Sequence, residues 1–192
     1  DFDDALGVTE MADGSSVVSV YIANVVYWMD ALDLWEHFTN RISTIYLPDR
    51  KLPMIPSILS DELCSLNVRN KRYTLAMDIT INKDQKLESV EFKLCTINVK
   101  VNYEYEERVL LLDDAYQRLL SLSKSLNKES NYIDKIEDSH DVVAFYMLMM
   151  NHKSAQVLNK EKMGIFRSVV CKEKNNIQAP DEIRQFVSYW KN

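Results

Sequence analysis

Residues 72–82, RYTLAMDITIN, alternate cleanly: Tyr73, Leu75, Met77, Ile79 and Ile81 share one side, and Thr74, Asp78, Thr80 and Asn82 the other. No other stretch constrains the fold as tightly, because a period of two marks an extended strand with one face on a core and does not fit a helix. The polar turn KDQK follows, and then LESVEFKLCTINVKV, residues 87–101. Val90, Phe92 and Leu94 begin that run on one phase and Ile97, Val99 and Val101 end it on the other, which predicts a bulge near Cys95 and Thr96. Together the two runs predict a long antiparallel hairpin.

The elements around the hairpin follow from the same patterning. VVSVYIA (17–23) reads as a largely buried strand, since β-branched and aromatic residues dominate a run too short for a helix. LDLWEHFTNRI (32–42) has helical spacing in Leu34, Phe38 and Ile42. Residues 104–126 carry Val109, Leu112, Tyr116, Leu119, Leu120 and Leu126 at three- and four-residue intervals, which predicts an amphipathic helix. DVVAFYMLMMNHKSAQVLN (141–159) is apolar all round in its first half only, so its first turns should be buried centrally, with Met147 and Met150 as packing residues. Strand, helix, hairpin, helices is the order of an α+β fold, an antiparallel sheet packed with helices.

With 192 residues, 46% hydrophobic and 27% charged, the chain has material for one domain or part of one. Three glycines and four prolines leave no Gly-rich phosphate loop and no low-complexity linker. Cys64, Cys95 and Cys171 form no C-x-x-C pair, so neither a disulfide framework nor a zinc ribbon is indicated, and free thiols in a reducing compartment are expected. No apolar run reaches the length of a bilayer span, and the first residues are acidic where a signal peptide would be basic, so the expectation is a soluble, cytoplasmic protein with no membrane partner. A net charge of -6 argues against a surface built throughout to attract phosphate. It leaves nucleic acid open as a substrate, because an enzyme that cuts phosphodiesters needs acids to hold metal.

His37, His140 and His152 are scattered without metal-ligand spacing, and nucleophile-elbow, Walker and dinucleotide motifs are absent. What remains is DFDDAL, residues 1–6, with Asp1, Asp3 and Asp4 within four positions. Such a cluster is either a solvated, flexible terminus or a ligand set for a cation. Asp1 and Asp3 can share a face of a strand, whereas adjacent Asp3 and Asp4 would point to opposite faces and can hold one ion together only from a bent backbone. A D-x-D pair also opens phosphatases of the haloacid dehalogenase type, but the later Gly-Asp acidic pair they need is missing, which ranks that reading low.

Five motifs occur in a fixed order: DFDDA (1–5), YIAN (21–24), RISTIYLP (41–48), PMIP (53–56) and LSDELCSL (59–66). In that order they resemble the catalytic RNB domain of the ribonuclease II and ribonuclease R family, which includes the catalytic subunit of the eukaryotic exosome. INVKVNYEYEE (97–107) is similar to the family's stretch leading into T-Y-E-E, and AFYMLMMNHKSAQVL to its E-F-M-L-L-A-N helix. The likeness is best over residues 1–167 and weak over 168–192, so the resemblance implies a partial RNB catalytic domain. It further implies 3′-to-5′ hydrolysis of single-stranded RNA to nucleoside 5′-monophosphates, dependent on Mg²⁺ or alternatively Mn²⁺. Asp1, Asp3 and Asp4 match three of the family's four acids, and the fourth lies six positions before Asp1. Tyr46 and Tyr105 match residues that contact or stack on the 3′-terminal nucleotides, with Tyr103 leaving the second register open by two residues. A lone Tyr beside Leu-Pro, read without the family, is a core residue more often than not.

The sequence also departs from the family. Asn24 replaces the acid of I-A-D, Val26 and Tyr27 replace the Ser and His that often follow, and the R-G-A-L stretch is missing. The S-P-I-R-R-Y-A-D motif and the oligonucleotide-binding domains of the full-length family lie outside these residues, so the chain is expected to be part of a longer nuclease. The alternative is a catalytically degenerate RNB-like module that binds RNA or protein as a scaffold.

Overall fold

In the computed structural model, which describes residues 2–37, 43–68 and 70–166, the chain runs through β1 (Asp4–Glu10), β2 (Ser16–Ala23) and α1 (Val25–Ala31). A short ribbon of β3 (Ile45–Tyr46) and β4 (Lys51–Leu52) follows, then β5 (Lys71–Ile81), β6 (Leu87–Asn98), α2 (Asp114–Ser130) and α3 (Ser139–Lys160). Strands β1, β2, β5 and β6 form one antiparallel sheet in that order. The α+β expectation holds.

Alternation decides which residues meet the helices. Val18 and Val20 of β2 and Met77, Ile79 and Ile81 of β5 are completely buried and pack with Leu119, Leu122 and Leu126 of α2 and Val142, Phe145 and Met149 of α3. The two helices are joined through Tyr146, whose hydroxyl donates to the Leu119 carbonyl at 3.1 Å. On the far side of the sheet a polar group spans three strands: the Ser19 hydroxyl donates to Asp78 Oδ1 at 2.6 Å, and Lys93 pairs with Asp78 across the next strand. A smaller cluster of Met29, Leu59 and Cys64, with Ala23, Val25 and Trp28 packed on it, joins α1 to the wide turn Ile58–Leu63.

The hairpin forms over the expected residues, and Asn82 shapes its turn by accepting the backbone N–H groups of Asp84 and Lys86, both at 3.0 Å. The bulge expected near Cys95 and Thr96 is not there. Pairing runs unbroken from Lys71↔Asn98 to Thr80↔Ser89, and the irregularity falls at Thr80/Ile81, where Leu87 rather than Glu88 faces Ile81. The phase change in β6 instead reflects cover on different faces. Val90 and Phe92 meet the helices, Leu94 shares their side but lies 73% exposed, and Cys95 and Ile97 turn inward on the opposite side beside Thr74 and Arg72.

Three further expectations shift. The helix expected over 32–42 forms earlier, because Asn24 caps Val25–Ala31 by accepting the Tyr27 N–H at 3.1 Å, while Asp33 at φ +52° ends it; Trp35–His37 is a short 3₁₀ turn, and Phe38 and Ile42 lie outside the described residues. The helix expected from 104 starts at Asp114, where the Asp113 carboxylate accepts the Tyr116 N–H at 2.8 Å. Val109 and Leu112 therefore belong to a separate 3₁₀ turn, Arg108–Leu112, and are exposed. Asp3 and Asp4 are not a free tail either, since Asp4 opens a seven-residue strand and the Asp3 carbonyl is bonded to β2. Helix α3 forms as expected, its entry fixed by reciprocal hydrogen bonds of Asp138 and Asp141, with Met149 and Met150 buried and Met147 half-buried.

Candidate active site

Asp3 and Asp4 are held from two sides. The Asp3 carbonyl accepts the Ala23 N–H at 2.9 Å, at the end of β2, and Asp4 pairs with Ile22. One residue earlier, the Phe2 N–H donates to the hydroxyl of fully buried Ser65 at 2.9 Å, and the Leu66 N–H donates to the Phe2 carbonyl at 2.7 Å. Ser65 and Leu66 belong to the LSDELCSL motif and YIAN ends β2, so two of the motifs anchor a third.

The electrostatics are those of crowded carboxylates. Burial pushes the Asp4 carboxyl above the usual range, and the charge of Asp3 pushes it further the same way. The Cys64 thiol is raised as well, first by burial and then by Asp3. A half-buried acid whose neighbour opposes its ionisation is stabilised by a cation, and the donors are hard carboxylate oxygens of the kind that Mg²⁺ takes. The donor chemistry of Asp3 and Asp4 suits such an ion, although regular pairing of this segment with β2 supplies no bend that would bring the two adjacent side chains to one face. Among the described residues no group of three or more His, Cys, Asp or Glu side chains is assembled for one, and Asp1 lies outside the described residues.

Tyr105 lies within reach of the Asp4 charge. Its hydroxyl is raised by burial and by the charge of Asp4, and its ring lies on that of His140 with centroids 3.7 Å apart and planes 12° apart. The Glu106 N–H donates to the Ser139 hydroxyl at 3.1 Å, which fixes this loop to the start of α3. Tyr103, two residues away, donates its hydroxyl to Asp113 at 3.0 Å and so supports the entry of α2. Tyr46 is 80% exposed on the β3–β4 ribbon, which forms a sheet of its own; it is not a core residue. The ribbon is tied to the wide turn by Lys51 and Asp61 at 2.9 Å.

Two further features near these residues have no signature in the sequence. Arg72 is 9% exposed with Cys64 nearby, and its Nε has no hydrogen-bond partner. Tyr27 lies flat on Tyr73, with centroids 3.7 Å apart. Neither is visible as a motif, because each depends on which strand lies next to which.

An acid-bearing strand clamped at the end of an antiparallel sheet, with helices on one face, defines an α+β domain, and the comparisons specify which family it belongs to. The RNB domain profile matches residues 1–128, and the chain belongs to the RNB domain family. It is similar to Ribonuclease R of Vibrio parahaemolyticus, 29% identical over 76% of this chain, and to the exosome complex exonuclease of Homo sapiens, 30% identical over 84%. The chain spans 18% of the length of each of those relatives. Among solved structures it is similar in fold to Mycoplasma genitalium RNase R in complex with double-stranded RNA, at TM-score 0.66 and 22% identity over 85% of this chain and 36% of that one. The fold is also that of a yeast pseudonuclease, Ssd1, at TM-score 0.58 and 14% identity over 82% of this chain and 23% of that one.

Proposed function

We propose that the protein is a 3′-to-5′ hydrolytic exoribonuclease that acts on single-stranded RNA, depends on Mg²⁺ or Mn²⁺, and releases nucleoside 5′-monophosphates. The observation that carries the reading is the clamped backbone of Asp3 and Asp4 on the RNB fold, with the Tyr105 hydroxyl within reach of the Asp4 charge. Asp3 and Asp4, with Asp1, would hold the ion. When bound, it would polarise the scissile phosphate, activate the attacking water and stabilise the leaving oxygen. The chain's own residues supply the positioning. Ser65, Leu66 and Ala23 hold the backbone on which the acids stand, and Tyr105 and Tyr46 offer ring faces to the last bases of the strand, a contact that tolerates any sequence.

The degenerate-scaffold reading rested on Asn24, Val26 and Tyr27. Asn24 has a local explanation as the cap of α1, a task that Asn and Asp perform equally well, so its presence says little about lost chemistry. The fold likeness to a pseudonuclease keeps that reading as the second one.

The test uses the full-length protein, 5′-labelled single-stranded RNA and Mg²⁺. Shortening from the 3′ end with release of 5′-monophosphates is expected, abolished by EDTA and reduced by orders of magnitude in Asp4→Asn, while RNA affinity stays near wild type. RNA binding without any cutting by the wild type would establish the scaffold reading, and wild-type turnover in the Asp3→Asn, Asp4→Asn double variant would remove these acids from the reaction.

A further inference from the structure

A second pair of stacked rings lies on the same side of the sheet as Asp4. Asp4, Ile22, Leu75 and Leu94 form one row across the four strands, and Tyr73, two residues from Leu75 on β5, faces the same side one row further on. With strands about 4.8 Å apart and a rise of about 3.4 Å per residue, the backbones of Tyr73 and Asp4 are separated by about 12 Å. Tyr27, in the first turn of α1, lies on Tyr73 with ring planes 20° apart. Trp28 meets both rings edge-on, at 5.4 Å and 5.9 Å. The Asn24 side chain holds the Tyr27 N–H, so Tyr27 is braced from the backbone and by two rings, those of Tyr73 and Trp28, yet remains 39% exposed.

Tyr27 is thus an aromatic ring fixed in place and left partly in contact with water. A base laid on it gains stacking energy without an ordering cost for the ring, because the ring is already immobilised. Tyr105 on His140 is a second stacked pair, with the Tyr105 hydroxyl within reach of the Asp4 charge. We propose that Tyr27 and Tyr73 form a stacking platform for an internal nucleobase of the single-stranded RNA whose 3′ end lies at Asp3 and Asp4. This rests on the function proposed above. The platform is at a distance from the cleaved bond, so it holds and aligns the strand and takes no part in proton transfer. A π-face accepts all four bases, so it adds affinity without sequence preference.

The test is binding of fluorescein-labelled oligoadenylate to the full-length protein in EDTA, where nothing is cut. Tyr27→Ala is expected to weaken binding about 5- to 150-fold, the value of one base on one aromatic ring, while Tyr27→Phe keeps wild-type affinity. A single abasic residue walked inward from the 3′ end should cost the wild type the same factor at one internal position, and at that position Tyr27→Ala and wild type should bind alike. Tyr27→Leu, which keeps apolar bulk on Tyr73 but offers no π-face, serves if the alanine variant does not fold, and the abasic walk needs no variant at all. Affinity unchanged in Tyr27→Leu together with no internal loss in the walk overturns the platform while leaving RNA binding intact. A wild type that binds no RNA overturns both the platform and the proposed function.

Discussion

Tyr46 projects from a two-residue strand with four-fifths of its surface in water. At such a position the ring contributes little to folding, so its effect on RNA can be measured without a stability penalty. Tyr46→Ala is expected to weaken single-stranded RNA binding about 5- to 150-fold or to lengthen the end product, with unchanged melting, and Tyr46→Phe to be nearly silent because the ring stays. Melting lowered by Tyr46→Ala with unaltered binding per folded molecule would return Tyr46 to a structural role. At Tyr103 and Tyr105 the motif left two rings in contention. Their surroundings differ: the Tyr103 hydroxyl is engaged by Asp113, and the Tyr105 ring lies on His140 near Asp4.

Among the elements, the ribbon that carries Tyr46 depends on a polar tie. Asp61 accepts the Ser60 hydroxyl at 2.7 Å and Lys51 at 2.9 Å, and these, the hydroxyl first, hold its carboxyl below the usual range. A depressed pKa in the folded state stabilises the fold above the unfolded value of about 3.9, and that stabilisation disappears as pH falls through the folded value. The melting temperature of wild type should therefore exceed that of Asp61→Asn by a constant margin from pH 7 down to about 5, and the margin should close below about pH 4. A margin independent of pH would mean that the carboxylate charge is irrelevant to the tie. Helix α1 shows how an element can be displaced from its apolar pattern. Leu34 has the spacing of a helical residue, but a capping Asn24 and a left-handed Asp33 confine the helix to Val25–Ala31.

For the whole molecule, one core joins the sheet to α2 and α3, so damage anywhere in it should appear everywhere. Met150 is buried within it and Met147 only half so. Met150→Ala is expected to cost about 2 to 5 kcal/mol and Met147→Ala less, with helix and tertiary signals lost in a single transition. Unchanged melting with lost RNA or metal affinity would show that these methionines line a binding surface.

The central hairpin, the β2 strand, α3 and the family are legible along the chain, because periodicity and ordered motifs are local properties. The sequence also singled out Asp3, Asp4, Tyr46 and Tyr105, which the motifs name without reference to their neighbours. Only the tertiary structure decided that DFDD begins a strand, since β1 owes its order to pairing with β2 and to Ser65, 63 positions away from Phe2. Only there did Leu94 turn out exposed and Cys95 inward-facing, because cover on each face of a sheet comes from elements distant in sequence. The Tyr27–Tyr73 stack belongs to the same class: 46 residues separate its rings, and no pattern along the chain reports a contact made by the meeting of a helix end with a strand.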